Sequence, residues 1–281
     1  MDKYLITGGE GFIGGRIREK AGGNSYDLKS GVDILDRQKL VENSKDTLGI
    51  FHCAALISVP ESFLKRDEYY RTNVEGTKSV IDVAKENNLK IVFSSSAAVY
   101  GEASGVVSED FRLDPKSPYA ENKRDGEELL RAHSVPSVAL RYFNVYGPGQ
   151  SSAYAGVITI FINKALKNED LVIYGDGSQA RDFVFVDDVA EANISAMKYE
   201  NSSFEIFNIG SGTETTIGNL AEMIIKLTDS KSKIIYLPPR DGDIVYSRAD
   251  VSKAKQVLGW EAKVPLEEGI FQTIAYYKAR I

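Results

Sequence analysis

The chain has 281 residues, of which 43% are hydrophobic and 26% are charged, a balance typical of a folded globular protein. Lysine and arginine total 34 against 40 acidic residues, and no stretch is strongly basic, so we expect no nucleic-acid partner. The longest apolar run, 157–162, is far shorter than the roughly 20 residues that span a bilayer. No charged-then-apolar leader follows Met1. We therefore expect neither membrane insertion nor secretion.

Cysteine and histidine usage narrows the classes further. The one cysteine, Cys53, cannot form an internal disulfide, which predicts a reducing, cytoplasmic location. The two histidines, His52 and His133, lie far apart in the sequence, so we expect no metal site built from cysteine and histidine. His52 lies in an apolar run and is predicted to be a packed residue at a strand end, whereas His133 is predicted to end a helix.

In chain order, the first half alternates short apolar runs with amphipathic helical patterns. We predict strands at 4–7, 26–28, 49–52, 91–94 and 138–143, and helices at 12–20, 74–87 and 117–133. This alternation predicts the α/β class, with a doubly wound parallel sheet of the Rossmann type.

Turns become frequent after residue 147. We predict a larger domain of residues 1–147 and 181–210, and a smaller lobe of residues 148–180 and 211–281.

A glycine-rich run follows the first predicted strand and opens the first predicted helix. Gly8, Gly11 and Gly14 stand at G-x-x-G-x-x-G spacing. The first two allow a tight turn and close approach of the backbone to a pyrophosphate, and the third allows the helix to pack on the sheet. Backbone amides at Phe12 and Ile13 then lie at the positive end of the helix dipole. The run predicts a dinucleotide site.

Asp27 follows Gly8 by nineteen residues, at the end of the second predicted strand. An acid there binds the adenosine ribose hydroxyls and repels a 2′-phosphate, which favours NAD. The alternatives are that Asp27 is a solvated loop acid, or that nearby Lys29 favours NADP. Asp33 and Ile34 are candidates to flank the adenine, although a helix cap at Asp36 explains part of the same stretch.

Tyr119 and Lys123 form a Y-x-x-x-K pair on a predicted helix with Ser117 as its N-cap, so the pair lies one turn apart on one face. A nearby ammonium, together with oxidised nicotinamide, would favour the phenolate and make Tyr119 a general base. The run 94–96 adds three serine hydroxyls at the end of a predicted strand, the edge at which such sheets bind ligands. A serine-rich loop is the alternative for that run.

In order along the chain, the motifs are TGGEGFIG, HCAA, NVEGT, SSSAAVYGE, SPYAENK, RYFNVYGPGQ, IYGDGSQARDFVFVDDVA, FNIGSG, PPRDGD and LGW. Together they resemble the extended short-chain dehydrogenase/reductase family, and most closely its UDP-galactose (UDP-glucose) 4-epimerase branch. The resemblance implies that Tyr119 is the catalytic base, that Lys123 binds the nicotinamide ribose and tunes Tyr119, and that Ser96 bonds the reacting sugar hydroxyl.

The same resemblance implies further ligand contacts. For NAD they are Ala54, Ala55, Asn73 and Ser94. For the UDP-sugar they are Asn144 and Arg181 at the phosphates, Val157 and Tyr174 at the uracil, Arg240 at the diphosphate, and Asp243 at the uridine ribose. It also implies a homodimer through the helices at 74–87 and 117–133. The stretch between Asp27 and Ile50 is shorter than is usual in the family, and Ile57 stands where some epimerases carry a lysine.

The residues after Ser96 bear on the reaction. Related dehydratases resemble one another in an Asp-Glu pair at this point, and the decarboxylases usually keep a glutamate, but this chain has Ala97 and Ala98. The resemblance therefore favours oxidation and reduction at C4 of a UDP-hexose. The alternatives are another NAD(P)-dependent nucleotide-sugar oxidoreductase or dehydratase, or a non-catalytic nucleotide-binding protein.

Ser247 is the residue that bears on substrate size. It stands where the resemblance places a gate, and a small residue there leaves room for a 2-acetamido group. We therefore expect UDP-N-acetylhexosamines to be accepted too. The alternative is that Tyr246 narrows the pocket instead.

Overall fold

A parallel sheet forms the centre of the fold, as predicted, and it has six strands. The computed structural model describes residues 4–103, 105–151, 155–200, 203–239 and 246–280, with the backbone alone for Tyr246 and Ser247. The strands of this sheet are β1 (Leu5–Thr7), β2 (Asn24–Tyr26), β3 (Gly49–His52), β4 (Lys90–Ser96), β6 (Ser137–Tyr142) and β11 (Phe204–Ile209). Their order in the sheet is β11-β6-β4-β3-β1-β2, and every pairing is parallel.

Helices cover both faces of this sheet, because successive strand residues bury to opposite sides. Ile6 packs in one apolar cluster and its neighbour Leu5 in the other. The helices are α1 (Phe12–Ala21), α2 (Arg37–Ser44), α3 (Val59–Leu64), α4 (Arg66–Tyr70), α5 (Gly76–Glu86), α6 (Pro118–Ala132), α7 (Val157–Leu166), α8 (Val186–Lys198), α9 (Ile217–Thr228), α10 (Ser252–Leu258) and α11 (Leu266–Lys278). Within the described ranges, none of them is long and apolar enough to cross a membrane.

Later segments of the chain form short strands and an apolar cluster of their own. Phe161, Leu220 and Ile270 bring α7, α9 and α11 together in this cluster. Trp260, by contrast, packs with the core of the large sheet. The short strands are β5 (Val106–Val107), β7 (Asn144–Tyr146), β8 (Leu171–Tyr174), β9 (Ala180–Arg181), β10 (Phe183–Phe185), β12 (Thr215–Thr216), β13 (Ile234–Leu237) and β14 (Tyr246–Ala249). The division into two lobes remains a prediction.

Two predicted elements have different boundaries. The second strand is Asn24–Tyr26, two residues earlier than the predicted 26–28, because Asp27 Oδ1 accepts a bond from Lys29 N and starts a 3-10 turn over Leu28–Ser30. The helix predicted at 74–87 begins at Gly76, after one π-helical turn over Arg71–Glu75. Between β2 and β3 the chain forms only this 3-10 turn and α2.

Candidate active site

The glycine-rich turn joins β1 to α1 at the carboxyl edge of the sheet. Gly8 has a φ of +71° and donates from its backbone N to Tyr26 O at 2.9 Å. A Cβ at Gly8 would lie 2.7 Å from Ala54 N, and one at Gly14 would lie 2.2 Å from Gly8 O. Side chains are therefore excluded at both positions. Close backbone packing at such glycines is typical of turns that bind a pyrophosphate.

The start of α1 provides donors for an anion. Gly11 is the N-cap, and no side chain caps the helix. The first-turn amides, at Phe12 and Ile13, thus have no side-chain acceptor. The positive end of the helix dipole lies at the same place. These features fit the phosphates of a dinucleotide.

Asp27 lies beside this turn, where its carboxylate accepts two backbone amides. Oδ2 accepts from Glu10 N at 3.0 Å, and Oδ1 accepts from Lys29 N at 2.9 Å. Lys29 Nζ donates to Glu10 O at 3.2 Å. Asp33 Oδ1 accepts from Leu35 N at 2.9 Å, so the Asp33 side chain stabilises a local turn.

The loop after β3 forms the next wall of the site, where Ala54 and Ala55 are half-buried. Ala54 N donates to Thr7 Oγ1 at 3.3 Å. Asn73 is 3% exposed, donates from Nδ2 to Leu56 O at 2.9 Å and accepts from Leu56 N at 2.8 Å. Both polar ends of this side chain thus hold the loop.

Ile34 is 7% exposed and packs against Gly76, where a Cβ would lie 2.9 Å from its Cγ2. This residue therefore lies in the contact between the segment before α2 and the start of α5. Its predicted contact with adenine stays a prediction.

His52 is a packed residue at the end of β3, as predicted. Its Nδ1 lies 2.8 Å from Thr7 Oγ1, and its Nε2 lies 2.9 Å from Thr77 Oγ1. Burial, with repulsion from Lys123 as a smaller cause, lowers the pKa of His52 to about 3. Among the described residues, no group of three His, Cys, Asp or Glu side chains could hold a metal ion.

The low pKa of His52 predicts a pH-dependent stability. The unfolded chain protonates this histidine near pH 6.5, whereas the folded protein keeps it neutral until about pH 3. Stability from this group is therefore complete above pH 6.5 and falls as the pH drops toward 3. At pH 5 we expect the free energy of unfolding to be lower by about 2 kcal/mol because of this group. Denaturant unfolding measures the free energy of unfolding at each pH. Between pH 6.5 and 3 this free energy should fall less steeply in His52→Gln than in wild type, and equal slopes against pH would contradict this account.

Tyr119 and Lys123 lie one turn apart on α6, beside the end of β4. The N-cap is Ser117, whose Oγ accepts from Ala120 N at 3.2 Å, as predicted. Lys123 is 4% exposed and donates from Nζ to Ser94 O at 2.6 Å. The same Nζ lies 5.9 Å from the centroid of the Tyr119 ring. The sheet edge, the phenol and the ammonium are thus brought together.

Burial controls the charge of both groups. It raises the pKa of Tyr119, and a hydrogen bond with Ser96 partly opposes this effect. It also lowers the pKa of Lys123 to about 8, against attraction from Cys53 and Glu127. The predicted phenolate depends on oxidised nicotinamide as well as on Lys123, and it stays a prediction. The chain alone keeps the phenol protonated at neutral pH.

The hydroxyls of the two outer serines differ in their partners. Ser94 Oγ donates to Cys53 Sγ at 3.2 Å and lies 3.2 Å from Tyr142 Oη, within the protein. Ser96 Oγ accepts from Ala98 N at 3.2 Å and lies close enough to Tyr119 to oppose the rise in the pKa of the phenol. Ser96 is therefore the serine placed to share a ligand with the phenol.

The predicted UDP contacts come from several elements. Asn144 is exposed and donates from Nδ2 to Asp182 O at 2.9 Å. Arg181 donates from Nη1 to Ala180 O at 2.9 Å, and its backbone is the register partner of Ser247 across β9 and β14. Val157 begins α7, and Tyr174 ends β8. Arg240 and Asp243 lie outside the described residues.

Asp182 is a buried acid that the sequence did not single out. Its Oδ1 accepts from Ser211 N at 2.6 Å and from Ser211 Oγ at 2.7 Å. Its Oδ2 accepts from Gly212 N and from Ala249 N, both at 3.0 Å. Burial raises the pKa of Asp182, and these donors oppose that effect. In the sequence, the one feature that could have indicated Asp182 is its position directly after Arg181.

The fold and this arrangement of residues define an α/β enzyme of the dinucleotide-binding kind. The chain belongs to the NAD dependent epimerase/dehydratase family, whose model matches residues 4–210. The resemblance seen in the sequence motifs is confirmed. The expected dependence on NAD is confirmed as a property of the family.

Relatives of this chain catalyse more than one reaction. The UDP-glucose 4-epimerase of Thermotoga maritima, solved with UDP-glucose, is 34% identical, with a TM-score of 0.91 over 99% of each chain. A UDP-N-acetylglucosamine 4-epimerase from Methanobrevibacter ruminantium, solved with UDP-N-acetylmuramic acid, is 33% identical, with a TM-score of 0.92 over 100% of this chain and 99% of that one. A UDP-N-acetyl-alpha-D-glucosaminuronate decarboxylase of Bacillus cytotoxicus is 35% identical over 98% of each chain.

Proposed function

We propose that the protein inverts C4 of a UDP-hexose, with NAD as its cofactor. The observation that carries this proposal is the set of Ser96, Tyr119 and Lys123 at the end of β4, followed by two residues that have no proton to give or take, Ala97 and Ala98. A decarboxylase is the second candidate, because of the relative from Bacillus cytotoxicus. The two alanines favour the epimerase.

NAD fits the residues at the glycine-rich turn. The positions at Gly8 and Gly14 exclude a Cβ, and the start of α1 after Gly11 offers donors without a side-chain acceptor. Asp27, held by two amides beside the turn, binds the adenosine ribose. Bound NAD supplies a reversible hydride acceptor.

The chain's own residues handle the proton and the orientation of the sugar. Tyr119 takes the proton of the 4-hydroxyl and returns it after inversion. Ser96, which lies beside the same phenol, orients that hydroxyl. The ammonium of Lys123, together with the positive charge of oxidised nicotinamide, would favour the phenolate. Asn144 and Arg181 hold the UDP phosphates, so the 4-keto sugar can rotate and present its other face.

The remaining assignments belong to the same proposal. Residues 1–147 and 181–210 form the NAD-binding domain, and 148–180 with 211–281 form the UDP-sugar lobe. Val157 and Tyr174 contact the uracil, with Arg240 and Asp243 at the diphosphate and ribose. The protein is a cytoplasmic homodimer that pairs through α5 and α6. Light scattering of the purified protein measures its oligomeric state.

The function is tested with three separate substrates, UDP-glucose, UDP-N-acetylglucosamine and UDP-glucuronate, followed by proton NMR. The epimerase produces the C4-inverted sugar from at least one hexose without steady gain of NADH. A decarboxylase releases CO₂ from UDP-glucuronate and inverts neither hexose. A binding protein leaves all three substrates unchanged. Either of the last two results would contradict the proposal.

Ser247 predicts the range of substrates. By the resemblance, a residue as small as serine at this position leaves room for a 2-acetamido group, so wild type should invert UDP-N-acetylglucosamine as well as UDP-glucose. Ser247→Tyr adds bulk that excludes the larger sugar, since steric exclusion can be installed by one side chain. We expect kcat/KM for UDP-N-acetylglucosamine to fall by at least about tenfold in the variant.

Turnover of UDP-glucose by the same Ser247→Tyr protein is the internal control and should remain near that of wild type. If wild type inverts UDP-glucose but no N-acetylated sugar, the assignment of Ser247 is wrong.

A further inference from the structure

Glu127 continues the face of α6 that carries Tyr119 and Lys123, because these residues are spaced four apart. Ser95 Oγ donates to Glu127 Oε1 at 2.5 Å. Arg141 reaches the same carboxylate twice, from Nε to Oε1 at 2.9 Å and from Nη2 to Oε2 at 2.6 Å. The helix with the phenol and the ammonium is therefore tied to two strands at one point.

The geometry of the strands explains why these groups meet. Ser95 and Arg141 are register partners on β4 and β6, so both side chains leave the same face of the sheet. Ser94 and Ser96, on either side, contact Lys123 and Tyr119. Three successive residues of β4 thus lie against three successive turns of α6, and two of them form hydrogen bonds with it.

The ion pair is almost fully buried, with 2% of the Arg141 side chain and 3% of the Glu127 side chain exposed. Arg141 Nη1 also donates to Tyr100 Oη at 2.8 Å, and Tyr100 Oη donates to Asn208 Oδ1 at 2.7 Å. Paired bonds of this kind fix direction as well as distance. Buried pairs add little net stability over apolar residues of similar size, so stability alone is a weak reason for this cluster.

We propose that Glu127 is a positioning residue, which acts with Arg141 and Ser95 to set Tyr119 and Lys123 against the end of β4. The inference rests on the proposed function. A shift of α6 would move the phenol away from the reacting hydroxyl, and a displacement of about 1 Å can cost ~10² in rate. The proposed UDP contacts lie on other elements, so the loss should appear in kcat and leave KM nearly unchanged.

The double variant Glu127→Leu/Arg141→Met separates positioning from stability. It removes both charges together and replaces them with apolar side chains, which avoids leaving one charge buried without a partner. We expect thermal stability close to wild type, kcat lowered by about 10²-fold, and KM for UDP-glucose within about twofold. A stable double variant with wild-type kcat would overturn the proposal.

Two further variants keep the proposal testable should the double variant fail to fold. Ser95→Ala removes one bond and leaves the ion pair, and should give a smaller loss of kcat with KM unchanged. Glu128→Gln is the matched control on the same helix, since the Glu128 side chain is 69% exposed. It should behave as wild type. Wild-type kcat in Ser95→Ala would count against the proposal.

Hydrogen exchange, followed by mass spectrometry, tests the positioning without any turnover. Amides of residues 119–126 should exchange faster in Ser95→Ala and in the double variant than in wild type or Glu128→Gln. Unchanged exchange in both variants would overturn the proposal. A wild-type protein that inverts no UDP-hexose would instead contradict the proposed function, while exchange still tests the tie between α6 and β4.

Discussion

Replacing Tyr119 with phenylalanine is expected to lower kcat for C4 inversion by about 10²–10⁴-fold, the range of general-base catalysis. The substitution deletes the one hydroxyl that contacts Ser96 from α6 and keeps the ring beside Lys123. Binding of the UDP-sugar should change little, because its phosphates are held elsewhere. Steady-state kinetics and calorimetric titration with UDP-glucose measure the two effects separately.

Tyr70→Phe is the matched control for this loss, because Tyr70 is 49% exposed. Its kcat should equal that of wild type. Near-normal turnover by Tyr119→Phe would show that another group is the base. A loss confined to UDP-sugar affinity would likewise contradict the assigned role.

Replacing Gly14 with alanine is expected to lower both the free energy of unfolding and the affinity for NAD. The new Cβ would lie 2.2 Å from Gly8 O, so α1 or the glycine-rich turn must move. Overpacking of this kind costs typically about 1–3 kcal/mol in free energy of unfolding. The shift also displaces the amides at the start of α1, so NAD affinity should fall at least about tenfold. Denaturant unfolding and NAD titration measure both.

Gly15→Ala is the control, one residue further along the same helix. Its Cβ would lie 3.7 Å from Gly9 O, an ordinary contact. Alanine favours a helix over glycine by up to about 1 kcal/mol, so this variant should be as stable as wild type or more stable. If both variants bind NAD equally well, the close packing at Gly14 does not serve the cofactor.

Much of the fold follows from local pattern. The apolar run at 91–94 lies within β4, and Ser117 caps the start of α6 as predicted, because caps depend on neighbouring residues alone. The strand predicted through Leu28 ends at Tyr26, because the Asp27 side chain accepts a hydrogen bond from Lys29 N. Such a bond competes with the strand for the backbone amide, and the spacing of apolar residues does not predict it.

The candidate site was predictable only in part, for a related reason. The glycine spacing and the Tyr-Lys pair are local signals. The partners of Glu127 lie in β4 and β6, and Asp182 accepts a bond from Ala249 N, 67 residues away. Only the folded sheet brings these groups together. Burial raises the pKa of Tyr119, and burial depends on tertiary packing that local patterns do not contain.

The central claim is that one carbon is oxidised and then reduced within a single turnover. The most direct test is conversion of UDP-glucose carrying deuterium at C4, followed by deuterium and proton NMR. The account predicts UDP-galactose that retains the deuterium at C4, with none released to water and no net NADH. Loss of the label to solvent, or absence of any C4 inversion from protein that is folded and loaded with NAD, would contradict it.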